Sequence, residues 1–285
     1  MKALIKCAAL ALATGLTSAI AQTPYVYVSD ASAGTVWLFN TAAGRSSFAP
    51  GLSSPQGVVY DMAGNLFAGV AGAGTIYQYS SGGSRTTFAS GLSSVYGLAF
   101  DHSGQWLYAA DKTAGTIYKY SSGGTRTTFG SATGANGVAV DGSGNVFVSS
   151  TSGNAIYKFA SDGTRTTFAT GLSGPIGLAF DTAGHLFEAD SLSGKIYQFT
   201  QGGARTTFAS GLHTPYGLGF DDAGNLLASD FAFGIIYEYT PGGVRSTFSS
   251  GGTGAPTFLT CLVPEPSSLA LLGLGALALF GFRRK

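Results

Sequence analysis

The chain has 285 residues, of which 44 are glycine, 20 phenylalanine and 14 tyrosine, and only 10% are charged. That mixture is poor in the alanine, leucine, glutamate, lysine and arginine of long helices and points to a β-rich domain. The formal net charge is +1, and setting aside the five basic residues and the one acid of the two ends leaves 10 basic against 13 acidic residues, which excludes the basic surface that nucleic acid requires.

The first 22 residues read MKALIKCAALALATGLTSAIAQ. Lys2 and Lys6 precede an apolar stretch, and Ala19 and Ala21 form an A-x-A site, so residues 1–21 are expected to be a secretory signal peptide cleaved after Ala21. Cys7 would leave with it. Cys261 would then be the only cysteine of the mature chain, which excludes an internal disulfide and requires a domain stabilised by its own core.

From Tyr25 to Phe48 the segments YVYVSD, TVWLFN and RSSF read as three short strands. A repeat then sets in. Arg45, Arg85, Arg126, Arg165, Arg205 and Arg245 recur about forty residues apart in RSSF, RTTF or RSTF contexts. Gly57, Gly97, Gly137, Gly177 and Gly217 each stand four residues before an aspartate. One unit, GPIGLAFDTAGHLFEADSLSGKIYQFTQGGARTTFASGL, parses as four strands: a (GLAF), b (HLFEA), c (KIYQF) and d (RTTFA). The DTAG turn between a and b has Asp and Gly where a type I turn wants them.

A four-stranded unit of about forty residues repeated around an axis is a β-propeller blade. Five complete units run from about Pro55 to Phe248. Pro256 to Cys261 aligns with Pro215 to Phe220 and is expected to supply the innermost strand missing from the first three. The expected fold is all-β: residues 22–262 form a six-bladed propeller closed by an N/C-terminal clasp. Closure removes the open edges that a solenoid would have to cap.

The unit PxGLAFDxxGNLFxAD…G-IYxY resembles NHL-repeat and gluconolactonase/regucalcin-type six-bladed propellers over roughly residues 25–262. That resemblance implies metal ligands at the position between Pro and Gly of each blade, together with an early glutamate. Here that position holds Gln56, Tyr96, Asn136, Ile176, Tyr216 and, in the clasp, Thr257. Only Asn136 matches, and no glutamate precedes Glu188, so no metal or other cofactor is expected, with Asn136 the one candidate ligand. Similarity to virginiamycin-lyase-like propellers implies a catalytic histidine near the channel, for which His213 lies on the expected face.

The same mouth would carry Asp30, Asp111, Asp190 and Asp230 in the loops between strands b and c, at one repeated slot that suits local turn capping. His102 and His185 fall in turns between a and b, His185 at a slot filled elsewhere by asparagine. Glu188 breaks the repeat: its slot holds Val28, Ala68, Val148 and Ala228 in four other blades, and alternation puts it on one face with Asp190. Catalytic candidates are therefore Glu188, Asp190 and His213. Gln56, Tyr96, Asn136 and Tyr216 form a candidate ligand set of aromatic faces and amides suited to a neutral, hydroxyl-rich molecule. The repeated rim arginine has a structural job, bridging blades or fixing the preceding turn.

The chain closes with VPEPSSLALLGLGALALFGFRRK. Leu269 to Phe282 would make an apolar helix about 21 Å long, short for a hydrocarbon core of ~30 Å, followed by basic residues that stay cytoplasmic. Motif, apolar run and basic end closely resemble a PEP-CTERM sorting signal, with Val263, Pro264, Glu265 and Pro266 as the motif and Arg283 and Arg284 in the basic end. The resemblance implies residues 263–285 as a sorting segment with a transmembrane helix. It also implies an exosortase-type processing enzyme as partner, a transient hold in the inner membrane of a Gram-negative bacterium, and a final place at the cell surface or outside it. The expected function is a non-catalytic, exported binding protein for an extracellular polysaccharide or another surface component. A channel-mouth hydrolase or lyase and a structural or adhesive surface protein are the alternatives.

Overall fold

A computed structural model describes residues 25–40, 44–250 and 254–262. The expected signal peptide and transmembrane helix lie outside these residues. Among the described residues no helix is long and apolar enough to cross a membrane, and one 3-10 turn, Ala71–Ala73, interrupts the strands.

Among the described residues six four-stranded antiparallel sheets account for all 24 strands. Blade 1 is the clasp: Pro256–Leu262 is strand a, innermost, and Tyr25–Asp30, Thr35–Asn40 and Gly44–Ala49 are b, c and d. Blades 2 to 6 each run in chain order, with innermost strands Pro55–Tyr60, Val95–Phe100, Ala135–Val140, Pro175–Phe180 and Pro215–Phe220. Each innermost strand contacts the next, and Pro256–Leu262 contacts both Pro215–Phe220 and Pro55–Tyr60, so the ring is closed. The expected six blades and terminal clasp are both present.

The glycine of each PxG segment has a steric cause. In every blade the pairing of a with b slips by one residue just after the first position, as between Pro55 and Val58 opposite Val70 and Ala68. This bulge turns two successive residues to unlike directions. A Cβ on Gly57, Gly97, Gly137, Gly177 or Gly217 would collide with the backbone carbonyl of the next blade's innermost strand. Only glycine lets the strands approach so closely around the channel.

Aromatic stacks join the blades. Phe147 lies edge-to-face with Phe168 of its own blade (5.0 Å) and Phe180 of the next (5.2 Å). Phe187 repeats this with Phe208 and Phe220, and Phe67 with Phe88 and Phe100. Such pairs contribute about 0.5–1.5 kcal/mol each beyond their buried area. The rim arginines do bridge blades. Each of the six guanidiniums stacks on the strand-c aromatic of its own blade, at 4.0 Å for Arg45 on Trp37 and 4.7 Å for Arg165 on Tyr157. Arg165 also donates to the Ser131 carbonyl of the preceding blade (2.7 Å), and Arg205 to that of Gly171 (3.1 Å).

Candidate functional site

The two ends of the channel differ. One end, here the loop face, carries the d–a and b–c loops; the other, the turn face, carries the a–b turns. Among the described residues every sequence-derived candidate except His102, His185 and Glu188 lies at the loop face, and there the channel is stoppered; the cleavage and sorting residues lie outside the described residues.

Gln56 (4% exposed), Asn136 (0%), Ile176 and Tyr216 are buried, and Tyr96 is half-buried. The Tyr216 hydroxyl donates to Gln56 Oε1 (3.2 Å), and its ring stacks on Phe231 at 5.4 Å. Burial, and secondarily the neighbouring Tyr96, raises the Tyr216 pKa. Lys112 Nζ lies 4.2 Å above the Tyr96 ring, and burial lowers the Lys112 pKa.

The clasp contributes to this stopper through a different residue from the one the alignment picks. Thr257 faces blade 2, its hydroxyl 3.1 Å from the Pro55 carbonyl and hydrogen-bonded with Ser29. Phe258, standing where the other blades have glycine, packs edge-to-face on Tyr216 at 5.5 Å and joins its core cluster with Ile176. The ring is therefore Gln56, Tyr96, Asn136, Ile176, Tyr216 and Phe258. The sequence signal was the phenylalanine at a glycine slot.

A divalent cation needs several convergent oxygen ligands. This ring offers the Asn136 amide, whose Oδ1 and Nδ2 both lack a hydrogen-bond partner, and the Gln56 amide, already engaged by Tyr216. The remaining members are aromatic or aliphatic, and among the described residues no group of three or more His, Cys, Asp or Glu could hold a metal. The donor set does not fit the metal centre that the resemblance implies.

The four b–c aspartates are spent on loop anchoring. Asp190 accepts from the Ser173 backbone N–H (2.7 Å), Asp111 from Ser93 and Ser94 (2.7 and 2.9 Å), and Asp230 from His213 and Thr214 (2.7 and 3.0 Å). Asp30 does the same for Gly254 and Ala255 and also takes the Trp37 indole N–H (3.1 Å). Burial works to raise the Asp30 pKa, but hydrogen bonds from Ala33, Trp37, Ala255 and Gly254 outweigh it and leave it lowered. Each aspartate thus ties down the loop entering its own blade. His185 replaces the usual asparagine in its turn, with Nδ1 2.9 Å from Asp181, and His102 is an exposed turn residue.

Glu188 is wholly buried, and neither carboxylate oxygen has a hydrogen-bond partner. Its slot is Val28, Ala68, Ala109, Val148 and Ala228 in the other blades, each pairing with the same position of strand a as Glu188 does with Leu178. Leu186, two residues earlier on the same strand face, belongs to a cluster with Phe147 and Ile156 of blade 4. Glu188 therefore projects into the apolar slab between blades 4 and 5. Burial, reinforced by Asp190 and opposed by Arg205, raises its pKa well above the usual carboxylate range. It does not converge with Asp190, whose carboxylate is turned to the loop.

What stands free on the loop face went unremarked in the sequence. Leu192 and Phe233, in the b–c loops of blades 5 and 6, are 79% and 57% exposed. The corresponding loops of the other blades, ASA, AGA, KTA and TSG, carry small or polar residues or a lysine. His213 is exposed beside Phe233, its ring edge-to-face with it at 4.8 Å. The test that singled out Glu188, departure from the repeat, would have found both.

Several cavities open on the turn face. One of about 530 Å³ is lined by residues of all six innermost strands, among them Val58, Leu98, Val138, Leu178, Leu218 and Leu259, with Asp101 and Asp181 at its edge. Two smaller grooves, about 500 and 420 Å³, open beside it between blades 4 and 5 and between blades 5 and 6. Cys261 also lines the central funnel; burial pushes its thiol pKa up to about 12.

Six closed four-stranded blades, a stoppered channel and aspartate-anchored loops define a six-bladed β-propeller. The chain belongs to the SMP-30/gluconolactonase/LRE-like family, whose model matches residues 6–170. Residues 262–285 match the PEP-CTERM protein-sorting motif, which implies processing by an exosortase, and export and membrane anchoring in a Gram-negative bacterium. No curated protein matches the chain. Among solved structures, a chain of a nidogen/laminin complex is similar at a TM-score of 0.77 and 19% identity, covering 84% of this chain and 98% of that one. Virginiamycin B lyase from Staphylococcus aureus is similar at 0.66 and 15%, covering 85% and 89%. A streptogramin B lyase is similar at 0.68 and 14%, covering 83% of each. At these identities the likeness is one of fold.

Proposed function

We propose that this is a surface-sorted binding protein without catalysis, which holds a neutral extracellular polysaccharide against the loop face of blades 5 and 6. The observation that carries the reading is the exposed pair Leu192 and Phe233, with His213 beside Phe233, on loops where the repeat has smaller or more polar residues. Exposed aromatic and aliphatic surface next to hydrogen-bonding groups suits the apolar faces and hydroxyls of sugar rings. Of the residues that a hydrolase or lyase would use, Asp190 anchors a loop and Glu188 is sealed between blades, while Asn136 stands alone in the stopper and His213 is exposed. Kinship with gluconolactonase and likeness in fold to the lyases support the enzymatic alternative, while the likeness to a nidogen/laminin chain supports binding.

Titration against a panel of neutral and anionic exopolysaccharides tests the reading. Saturable binding is expected, weakened about tenfold by Phe233→Ala, equivalent to about 1.4 kcal/mol, with stability unchanged within about 0.5 kcal/mol because the side chain is exposed. Binding that ignores both Phe233→Ala and Leu192→Ala would sink the assignment.

A further inference from the structure

Strand c carries one position that the repeat leaves open. It holds Leu38, Gln78, Lys119, Lys158, Gln198 and Glu238 in blades 1 to 6. Lys119 is held 4.1 Å above the Trp106 ring of its own blade. Lys158 lines the groove between blades 4 and 5, half-buried, with its ammonium 5.4 Å from the Phe147 ring. It makes no ion pair, since among the described residues the one such pair is His185 with Asp181. A half-buried cation facing a cavity without a carboxylate partner is a ready counter-charge for an anion.

Two further departures from the repeat meet Lys158 in this groove of about 500 Å³. Gly142 stands second in its a–b turn, where blades 2, 3, 5 and 6 have Met62, His102, Thr182 and Asp222. A Cβ there would meet nothing within 4 Å, so the missing side chain leaves the groove open at that point. Gln201 stands where the corresponding c–d turns have Ser81, Ser122, Ser161 and Pro241, and its amide lies against Gly184 of the a–b turn. The Phe147, Phe168 and Phe180 rings supply an apolar wall.

The other charged and titratable groups of the lining are Asp141, Asp181 and the exposed His102. Asp141 caps its turn through Ser143 and Asn145, and Asp181 through His185; each keeps lone pairs that can accept from a ligand hydroxyl. Arg165 and Arg205 stay outside the lining, stacked on Tyr157 and Tyr197 and donating to carbonyls of the preceding blade. One free cation beside two turn carboxylates suits a single negative charge and repels a multiply charged anion. The groove between blades 5 and 6 repeats the wall with Phe187, Phe208 and Phe220, but has Gln198 for Lys158, Pro241 for Gln201 and Asp222 in the lining.

We infer that the groove between blades 4 and 5 binds a uronic acid, a hydroxyl-rich sugar with one carboxylate. The carboxylate pairs with Lys158, hydroxyls bond to Gln201 and the turn carboxylates, and the apolar ring face lies on the phenylalanine wall. The groove's volume falls within the roughly 300–1,000 Å³ of small-ligand sites. The site is on the turn face and is independent of the loop-face reading above.

Calorimetric titration of the full chain with D-glucuronate, an oligoglucuronate, D-glucose, D-glucosamine and inorganic phosphate tests it. Glucuronate should bind about tenfold more tightly than glucose, as one charge-assisted contact allows. Lys158→Gln should abolish that preference and leave glucose unchanged; blades 2 and 5 already carry glutamine there, and a melt checks the fold. Gly142→Asp, which copies Asp222 of blade 6, should also weaken glucuronate, and decides alone if Lys158→Gln does not fold. Phe233→Ala should leave glucuronate binding intact, so the two readings fail separately. An oligomer no tighter than the monomer assigns the free sugar and a tighter one the unit of a chain; either supports the inference. Absent glucuronate binding, or an affinity indifferent to Lys158→Gln, would overturn it. So would glucosamine or phosphate binding more tightly than glucuronate, or loss of glucuronate binding in Phe233→Ala.

Discussion

Replacing Glu188 should make the propeller more stable, and increasingly so as pH rises. The carboxyl is wholly buried in the slab between blades 4 and 5 with no partner for either oxygen. Blade 4 fills the same slot with Val148. Burying an uncompensated polar group costs about 1–3 kcal/mol by mutational measures, so Glu188→Val should gain roughly that much even where the carboxyl is neutral.

The pH dependence follows from the raised pKa. Below about pH 4.3 the carboxyl is protonated in both the folded and the unfolded chain and its linkage contribution is nil. Above that pH the unfolded chain releases the proton while the folded chain keeps it, because burial, and then Asp190, disfavour the carboxylate. The unfolded state then binds fewer protons than the folded one. Stability therefore falls by up to about 1.4 kcal/mol per pH unit until the folded pKa is reached, and levels off beyond it. Glu188→Gln keeps the shape and deletes the titration. Thermal and urea melts of the two chains from pH 4 to pH 8 should diverge with rising pH, by up to about 3–6 °C per unit for a domain of this size. Parallel profiles over that range would refute the reasoning and mean that Glu188 is hydrated or paired.

Gly217→Ala forces a Cβ into the Thr257 carbonyl at the clasp; it should cost about 3 kcal/mol, seen as a lowered urea midpoint. Gly51→Ala, at φ +74° with open space around it, should cost only about 1 kcal/mol. Arg165→Ala removes both the stack on Tyr157 and the bond to Ser131 of the preceding blade; a loss of about 1 kcal/mol is expected, with Arg165→Lys recovering little because it lacks the planar fork. Melting temperatures of the three arginine-site chains check this. Phe233→Ala should weaken polysaccharide binding about tenfold with folding intact, read by titration and a parallel melt.

The architecture was legible because the repeat states it many times over. Turn chemistry, strand alternation and the rim arginine recur in each unit, so errors in one unit are corrected by the others. The clasp could be read because Pro256 to Cys261 carries the same pattern as Pro215 to Phe220. Legibility failed where a position departs from the repeat and its consequence depends on packing. Phe258 at a glycine slot reverses which of two adjacent residues enters the channel, and Thr257 consequently turns to the next blade. Glu188 was visible as a departure, but alignment alone put it near Asp190 at the mouth; only the strand's facing assigns it to the interblade slab. The funnel was invisible, because its lining residues are the ordinary apolar ones of every strand a and only their convergence makes a cavity.

The stopper at the channel mouth also fastens the ring. In a closed ring the last strand must be held as firmly as the covalently continuous ones, and here the holding contacts are those at the mouth. Phe258 packs on Tyr216, Tyr216 donates to Gln56, and Ser29 links Thr257 to the carbonyls of Gln56 and Phe258. These contacts tie blades 6, 1 and 2 together across the point where the two ends of the domain meet. A mouth left open for substrate and metal would have to give up some of them. Without a disulfide available among the described residues, where Cys261 is the one cysteine and is free, the aromatic stopper takes over the fastening of the ring. Leu192 and Phe233, exposed on loops outside the stopper, can vary without loosening the clasp.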